Sequence, residues 1–137
     1  MHKIMCIDVG TKRIGVAVSD FLHITAKGLC YIDRIPENQA IDRLSELIKD
    51  NKVGELVIGV PKNMDGTEGG QAKDCRNFAE LVKSNIPDVK IIFEDERLTS
   101  DTAEENLRER KIDFRKNKAL VDIESACIIL EQYLSKI

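Results

Sequence analysis

Three short apolar runs in immediate succession, followed by helical segments that alternate with further apolar runs, constrain this chain more than any other feature. Lys3–Val9 (KIMCIDV) is strongly apolar and stops at Gly10, as a buried strand does. Gly10-Thr11-Lys12 turns the chain into Arg13–Ser19 (RIGVAVS), where Ile14, Val16 and Val18 alternate with smaller or polar residues. Ile24–Ile32 offers a third strand, with Gly28 marking a bulge or a close approach. Together these predict an antiparallel meander.

The period changes after Pro36. Ile41, Leu44, Leu47 and Ile48 share one helical face. Glu55–Val60 (ELVIGV) is the next strand, closed by Pro61, and the polar loop 62–70 leads into a helix with the stripe Ala72, Cys75, Phe78, Ala79 and Val82. Pro87 separates that helix from the strand Val89–Phe93 (VKIIF). A helix capped by Thr99 or Ser100 follows, then a basic loop over Arg108–Lys118, then a last helix with Ile123, Ala126, Cys127, Leu130 and Leu134 on one stripe. The order βββαβαβαα predicts an α/β fold, a mixed five-stranded sheet flanked by helices, in one domain spanning residues 1–137.

The bulk numbers narrow the function classes. A net charge of −3 argues against a globally basic nucleic-acid binder, although a local patch or a bound cation can reverse the sign at one site. Cys6, Cys30, Cys75 and Cys127 form no C-x-x-C and sit in apolar segments, as buried free thiols of a reducing compartment do. No apolar stretch approaches the ~20 residues of a membrane span. MHKIMCID lacks the pattern of a signal peptide, so a cytoplasmic protein with no membrane partner is expected.

The chemistry lies in three acidic positions. Asp8 sits inside an apolar run at a strand end, where desolvating a carboxylate costs several kcal/mol unless it is paired or metal-bound. A carboxylate capping the Gly10-Thr11 turn accounts for it equally well. Glu94, Asp95 and Glu96 follow an apolar run, and like charges this close call for a cation or for Arg97. Alternation puts Glu94 and Glu96 on one face and Asp95 on the other, so at most two of the three can share a site. Asp122 borders the buried stripe of the last helix, where small Ser125 and Ala126 permit close approach to the sheet, and Glu124 points away toward solvent. Alone, Asp122 reads as a residue favoured by the helix dipole. Together the acids suit oxygen-ligated Mg²⁺ or Mn²⁺, and two such ions can drive phosphodiester hydrolysis. His2 and His23 are isolated and suggest no zinc site.

Groups able to hold phosphate flank these acids. Thr11, Lys12 and Arg13 occupy the turn after Asp8. The loop containing Lys62 and Asn63 ends in Gly69-Gly70 before a helix N-terminus. Arg97 follows the acidic triplet, and RERKIDFRKNK at 108–118 brings Arg115, Lys116 and Lys118, with Phe114 able to stack on a base or anchor the loop.

IDVGTKRIGVAVSD, VIGVPKNMDGTEG, EDERLTS and VDIESACIILEQYL resemble, in order and spacing, the motifs of the YqgF (RuvX) family, over nearly the whole chain. The resemblance implies an RNase H-like fold, a likeness to Holliday-junction resolvases, and a part in maturing the 5′ end of precursor 16S ribosomal RNA. It implies a metal-dependent nuclease with acids at Asp8, Glu96 and Asp122, matching Glu96 rather than Asp95 to the family's D-E-R triplet. The partner would be precursor rRNA or branched DNA, bound by a monomer or a homodimer. Members commonly have Pro at Val9 and a different sequence over Ile123–Ala126, which leaves the carboxylates in place. Two other readings compete. Asp8-x-Gly10-Thr11 resembles the phosphate loop of two-lobed ATPases, for which 137 residues supply one lobe. A non-catalytic nucleic-acid module would keep the fold without turnover.

Overall fold

The computed structural model describes residues 1–96, 99–113 and 117–137, with the side chains of 99–101 outside the description. Its elements are β1 (Lys3–Val9), β2 (Arg13–Ser19), β3 (Ala26–Asp33), α1 (Glu37–Asp50), β4 (Val53–Val60), α2 (Gly70–Asn85), β5 (Lys90–Asp95), α3 (Thr99–Glu109) and α4 (Ala119–Leu134). The sheet order is β3-β2-β1-β4-β5. β1, β2 and β3 pair antiparallel, whereas β4 runs parallel to both β1 and β5. The α/β class and the mixed five-stranded sheet are therefore as the sequence predicts.

Both faces of the sheet are covered, which is why β1 reads as a nearly continuous apolar run. Met5, Ile7 and Val9 project to one side, into a core with Leu44, Leu47, Phe78 and Val82 of α1 and α2. Ile4 and Cys6 project to the other, against Ala126, Cys127, Ile129 and Leu130 of α4. Fully burying a side chain of this size contributes about 1.5–3 kcal/mol each. The stripes foreseen on α1 and α2 are the buried ones. On α4 the fully buried Ile129 joins the stripe, while Ile123 is only partly covered.

Several boundaries differ, each for a local reason. β3 starts at Ala26 rather than Ile24, because the Asp20 carboxylate accepts the amides of Ile24 and Thr25 and holds them in the preceding turn. The register of β2 with β3 slips between Val16 and Ala17, placing a bulge next to Gly28. β4 begins at Val53, which pairs with Lys3. β5 continues through Asp95, so two of the three acids are strand residues. Arg108 and Glu109 belong to α3 rather than to a loop. Cys6, Cys75 and Cys127 are buried thiols, whereas Cys30 is half-buried. The expected cap at Thr99 or Ser100 lies outside the described side chains. Among the described residues no helix is long and apolar enough to cross a membrane.

Candidate active site

Parallel pairing of β1, β4 and β5 places their carboxyl ends along one edge of the sheet, and the parity of β1 puts Asp8 on the same face as Ile4 and Cys6, under α4. Glu96 follows β5 directly, its amide still donating to the Val60 carbonyl at 3.2 Å. β4 lies between β1 and β5, so a side chain from β5 must cross a strand to reach Asp8. Gly59 opens that path: a Cβ there would lie 2.7 Å from Ile129 Cδ1 and 3.1 Å from the Glu96 carboxyl carbon. The Asp8 and Glu96 carboxyls consequently face one another closely enough to share a proton.

Both carboxyls are held above the usual carboxylate range. For Asp8 the main cause is burial, with the Asp122 charge adding to it and the interaction with Glu96 opposing it. For Glu96 burial again leads, followed by the charge and hydrogen bond of Asp8 and by the charge of Asp95. Burial first, then Asp8 and Glu96, also pushes the Cys6 thiol well up, so that this neighbour stays protonated.

Asp122 is brought over the same corner by glycine. Asp8 pairs with Gly15 across β1 and β2, and a Cβ on Gly15 would sit 2.0 Å from the Asp122 carbonyl oxygen. Gly28 does the same one strand over, where a Cβ would meet Ile123 Cγ2 at 2.7 Å. α4 therefore lies on bare backbone, closer than any side chain would allow. The Asp122 carboxylate itself accepts from Arg13 Nε at 2.8 Å. Glu124, expected in solvent, instead pairs with Arg110 at 2.6 Å and ties the end of α3 to α4.

The acidic triplet divides as alternation requires. Glu94 lies on the α4 face and is buried, where Lys136 and Gln132 of the α4 region neutralise and hold it. It is a structural anchor. Asp95 pairs with Val60, which by parity faces the opposite layer. Of the three, Glu96 alone reaches Asp8.

Of the phosphate-binding candidates, Thr11, Lys12 and Arg13 follow the carboxyl end of β1, and Lys62 and Asn63 follow that of β4. In the Gly10–Arg13 turn, the Gly10 amide donates to the Arg13 carbonyl at 2.9 Å, and a Cβ on Gly10 would meet that oxygen at 2.7 Å. Thr11 and Lys12 are exposed, and Arg13 is partly covered. In the loop after β4, Lys62 is half-buried, and the exposed Asn63 donates to Thr67 Oγ1 at 2.9 Å, which gives its side chain a turn-forming role. Lys118 is exposed at the start of α4. Arg97, Arg115 and Lys116, like Phe114, lie outside the described residues.

Three site-building residues escaped the sequence reading. Gly15 and Gly59 each interrupt an apolar strand, a signal for close approach that was applied only to Gly28. Arg34, only 7% exposed, donates to the Gly10 carbonyl at 2.9 Å and to both oxygens of Asp74 at 3.0 Å, over the Phe78 ring. It clamps the Gly10 turn to α2, and nothing local in the sequence marks it. Gln71 adds a bond to the Val9 carbonyl at 3.2 Å.

Among the described residues no three His, Cys, Asp or Glu side chains converge as a ready metal cage. Two apposed, desolvated carboxylates nevertheless fit a hard divalent cation, whose charge would relieve their mutual repulsion. The Asp122 charge also acts on Asp8.

Comparison with known proteins adds the lineage. The family model described as RuvX, Holliday junction resolvase, matches residues 2–136. A relative from Staphylococcus haemolyticus, named "Putative pre-16S rRNA nuclease", is 41% identical over 138 residues, covering 99% of this chain and 97% of its own. One of the same name from Clostridium acetobutylicum is 44% identical over 135 residues, covering 98% and 99%. Among solved structures, the fowlpox virus resolvase with Holliday junction DNA aligns with a TM-score of 0.60 at 13% identity, over 98% of this chain and 97% of that one. Thermus thermophilus RuvC with a Holliday junction substrate aligns with a TM-score of 0.56 at 14% identity, over 99% and 95%. At such identities these two bear on the fold, and they share the RNase H-like arrangement of sheet and helices. By its family match and by its full-length similarity to these relatives, the chain belongs to the RuvX family.

Proposed function

We propose that this chain is a divalent-metal-dependent nuclease that hydrolyses phosphodiester bonds of structured nucleic acid, its task being 5′-end processing of precursor 16S rRNA in the cytoplasm. The observation that carries this reading is the apposition of Asp8 and Glu96 in a desolvated corner, with Asp122 directly above. The relatives' names supply the substrate.

Asp8 and Glu96 would hold the cation, joined by Asp122. Bound Mg²⁺ or Mn²⁺, as one ion or a pair, supplies an activated water and charge stabilisation at phosphorus. Before binding, the Asp8–Glu96 pair retains a proton between its carboxyl oxygens, which it must release to become a full ligand set. Thr11 and the backbone amides of the Gly10 turn would orient a phosphate, with Lys12, Arg13, Lys62 and Lys118 giving the corner a positive rim. Arg34 keeps that turn in register with α2. Arg97, Arg115 and Lys116 extend the same proposal to the undescribed segments.

A second reading, cleavage of branched DNA, follows from the description of the matched family. It demands two coordinated sites and hence a symmetric dimer, whereas RNA trimming needs one. Labelled precursor 16S rRNA and a four-way DNA junction, each with Mn²⁺ or Mg²⁺, separate the two. The wild type is expected to cut the RNA, and Asp8→Asn or Glu96→Gln to lose at least a hundredfold in rate, about 2.7 kcal/mol or more of barrier. Equal behaviour of wild type and variants on both substrates would refute the nuclease reading.

A further inference from the structure

The third acid of the site is engaged by a cation that nucleic acid would also seek. Asp122 accepts from Arg13 Nε at 2.8 Å, with the two side chains 26% and 27% exposed. Arg13 makes no other side-chain hydrogen bond among the described residues, so its terminal nitrogens keep donors to spare. The backbone beneath the pair is fixed: the Asp122 carbonyl lies against Gly15, and Gly15 against Asp8. The Asp122 charge already acts on Asp8, so the carboxylate that Arg13 holds lies beside the Asp8–Glu96 pair. A guanidinium binds carboxylate and phosphate oxygens with the same planar donor fork, so the two compete for it directly.

We propose that Arg13 couples the two ligands of the site: in the chain alone it holds Asp122, and a nucleic-acid phosphate that captures Arg13 frees Asp122 for the metal. The coupling rests on the nuclease reading above. It is reciprocal by linkage, so nucleic acid tightens metal binding by the factor by which metal tightens nucleic acid. Its consequence is a cation site completed mainly when substrate is present, which limits stray hydrolysis by a preassembled centre.

Mn²⁺ binding to the full chain, followed by electron paramagnetic resonance of the free ion, tests this without turnover. The variants are Arg13→Gln, Asp122→Asn, the double substitution and Asp8→Asn. The partly exposed pair can be changed without touching the core. Arg13→Gln is expected to tighten Mn²⁺ binding roughly fivefold, the scale of a partly exposed ion pair. A short phosphorothioate RNA should tighten Mn²⁺ binding in wild type and add nothing in Arg13→Gln. In the Asp122→Asn background, Arg13→Gln should have no effect. The same tightening with and without Asp122 would mean only that a nearby positive charge had been removed, and would overturn the coupling. No tightening at all would overturn it too. Loss of Mn²⁺ binding in Asp8→Asn, alongside either of those results, leaves the metal site standing and sinks the coupling alone. Unchanged binding in Asp8→Asn sinks both.

Discussion

The two faces of the sheet are built on opposite principles. Under α1 and α2 the strands present Met5, Ile7, Val9, Ile14, Leu56 and Ile58, and the helices answer with Leu44, Phe78 and Val82. These positions add apolar burial, and the buried Arg34 beside Phe78 is neutralised by Asp74. Under α4 the strands present Gly15, Gly28 and Gly59 together with Asp8, and the buried Glu94 pairs there with the exposed Lys136. The space a side chain would fill is taken at Gly15 by the Asp122 backbone, at Gly28 by Ile123, and at Gly59 by Ile129 and the Glu96 carboxyl. Both faces bury apolar residues, but the second gives up side chains at its glycines, so that acids from three separate segments share one corner.

The largest expected effect comes from filling that space. Gly15→Ala places a methyl group 2.0 Å from a backbone oxygen that cannot yield. It should undock α4, cost more than about 4 kcal/mol of stability in chemical denaturation and abolish activity together. Phe78→Ala on the opposite face should cost about 3–5 kcal/mol by the same measurement, yet leave the metal response of the remaining folded protein intact. If Phe78→Ala removes the metal response as well, the two faces are not independent. Gly59→Ala is milder, because Ile129 Cδ1 and the Glu96 carboxyl are ends of flexible side chains. It is expected to cost about 1 kcal/mol of stability and at least about tenfold in cleavage rate, since a 1 Å displacement of a catalytic group is enough for that. A stable Gly59→Ala variant of wild-type rate would remove Gly59 from the account of how Glu96 reaches Asp8.

How much of this was legible beforehand follows the same division. The α1/α2 face announced itself through periodicity, since Ala72, Cys75, Phe78, Ala79 and Val82 are the buried residues of α2. The pairing of Glu94 and Glu96 on one face followed from strand parity alone. What separates their roles did not, because Lys136 and Gln132 reach Glu94 from more than thirty positions away. Glu124 was misread for a similar reason: its partner Arg110 lies in the connection before α4, and no helical spacing relates the two. Gly15 and Gly59 were visible as letters, but their meaning depends on which helix crosses them.

The central claim is that Asp8 and Glu96 form a strained pair that a divalent cation relieves. Both carboxyls are held above their ordinary range in the folded chain, so the native state binds protons more tightly than the unfolded one. Metal-free stability is then fully present below the unfolded carboxylate range, near pH 4, and falls as pH rises through neutrality. Asp20, Glu68 and Asp74, shifted the opposite way, lose their contribution as the medium turns acidic, which places the optimum near the mildly acidic range. The deciding measurement is thermal unfolding of wild type and Asp8→Asn from pH 5 to about 8.5, with and without Mn²⁺. The account predicts that metal-free Asp8→Asn is the more stable of the two at the alkaline end, by on the order of 1–2 kcal/mol, and that Mn²⁺ stabilises wild type alone. A metal-free wild type that gains stability as pH rises, or equal stabilisation of both proteins by Mn²⁺, would contradict it.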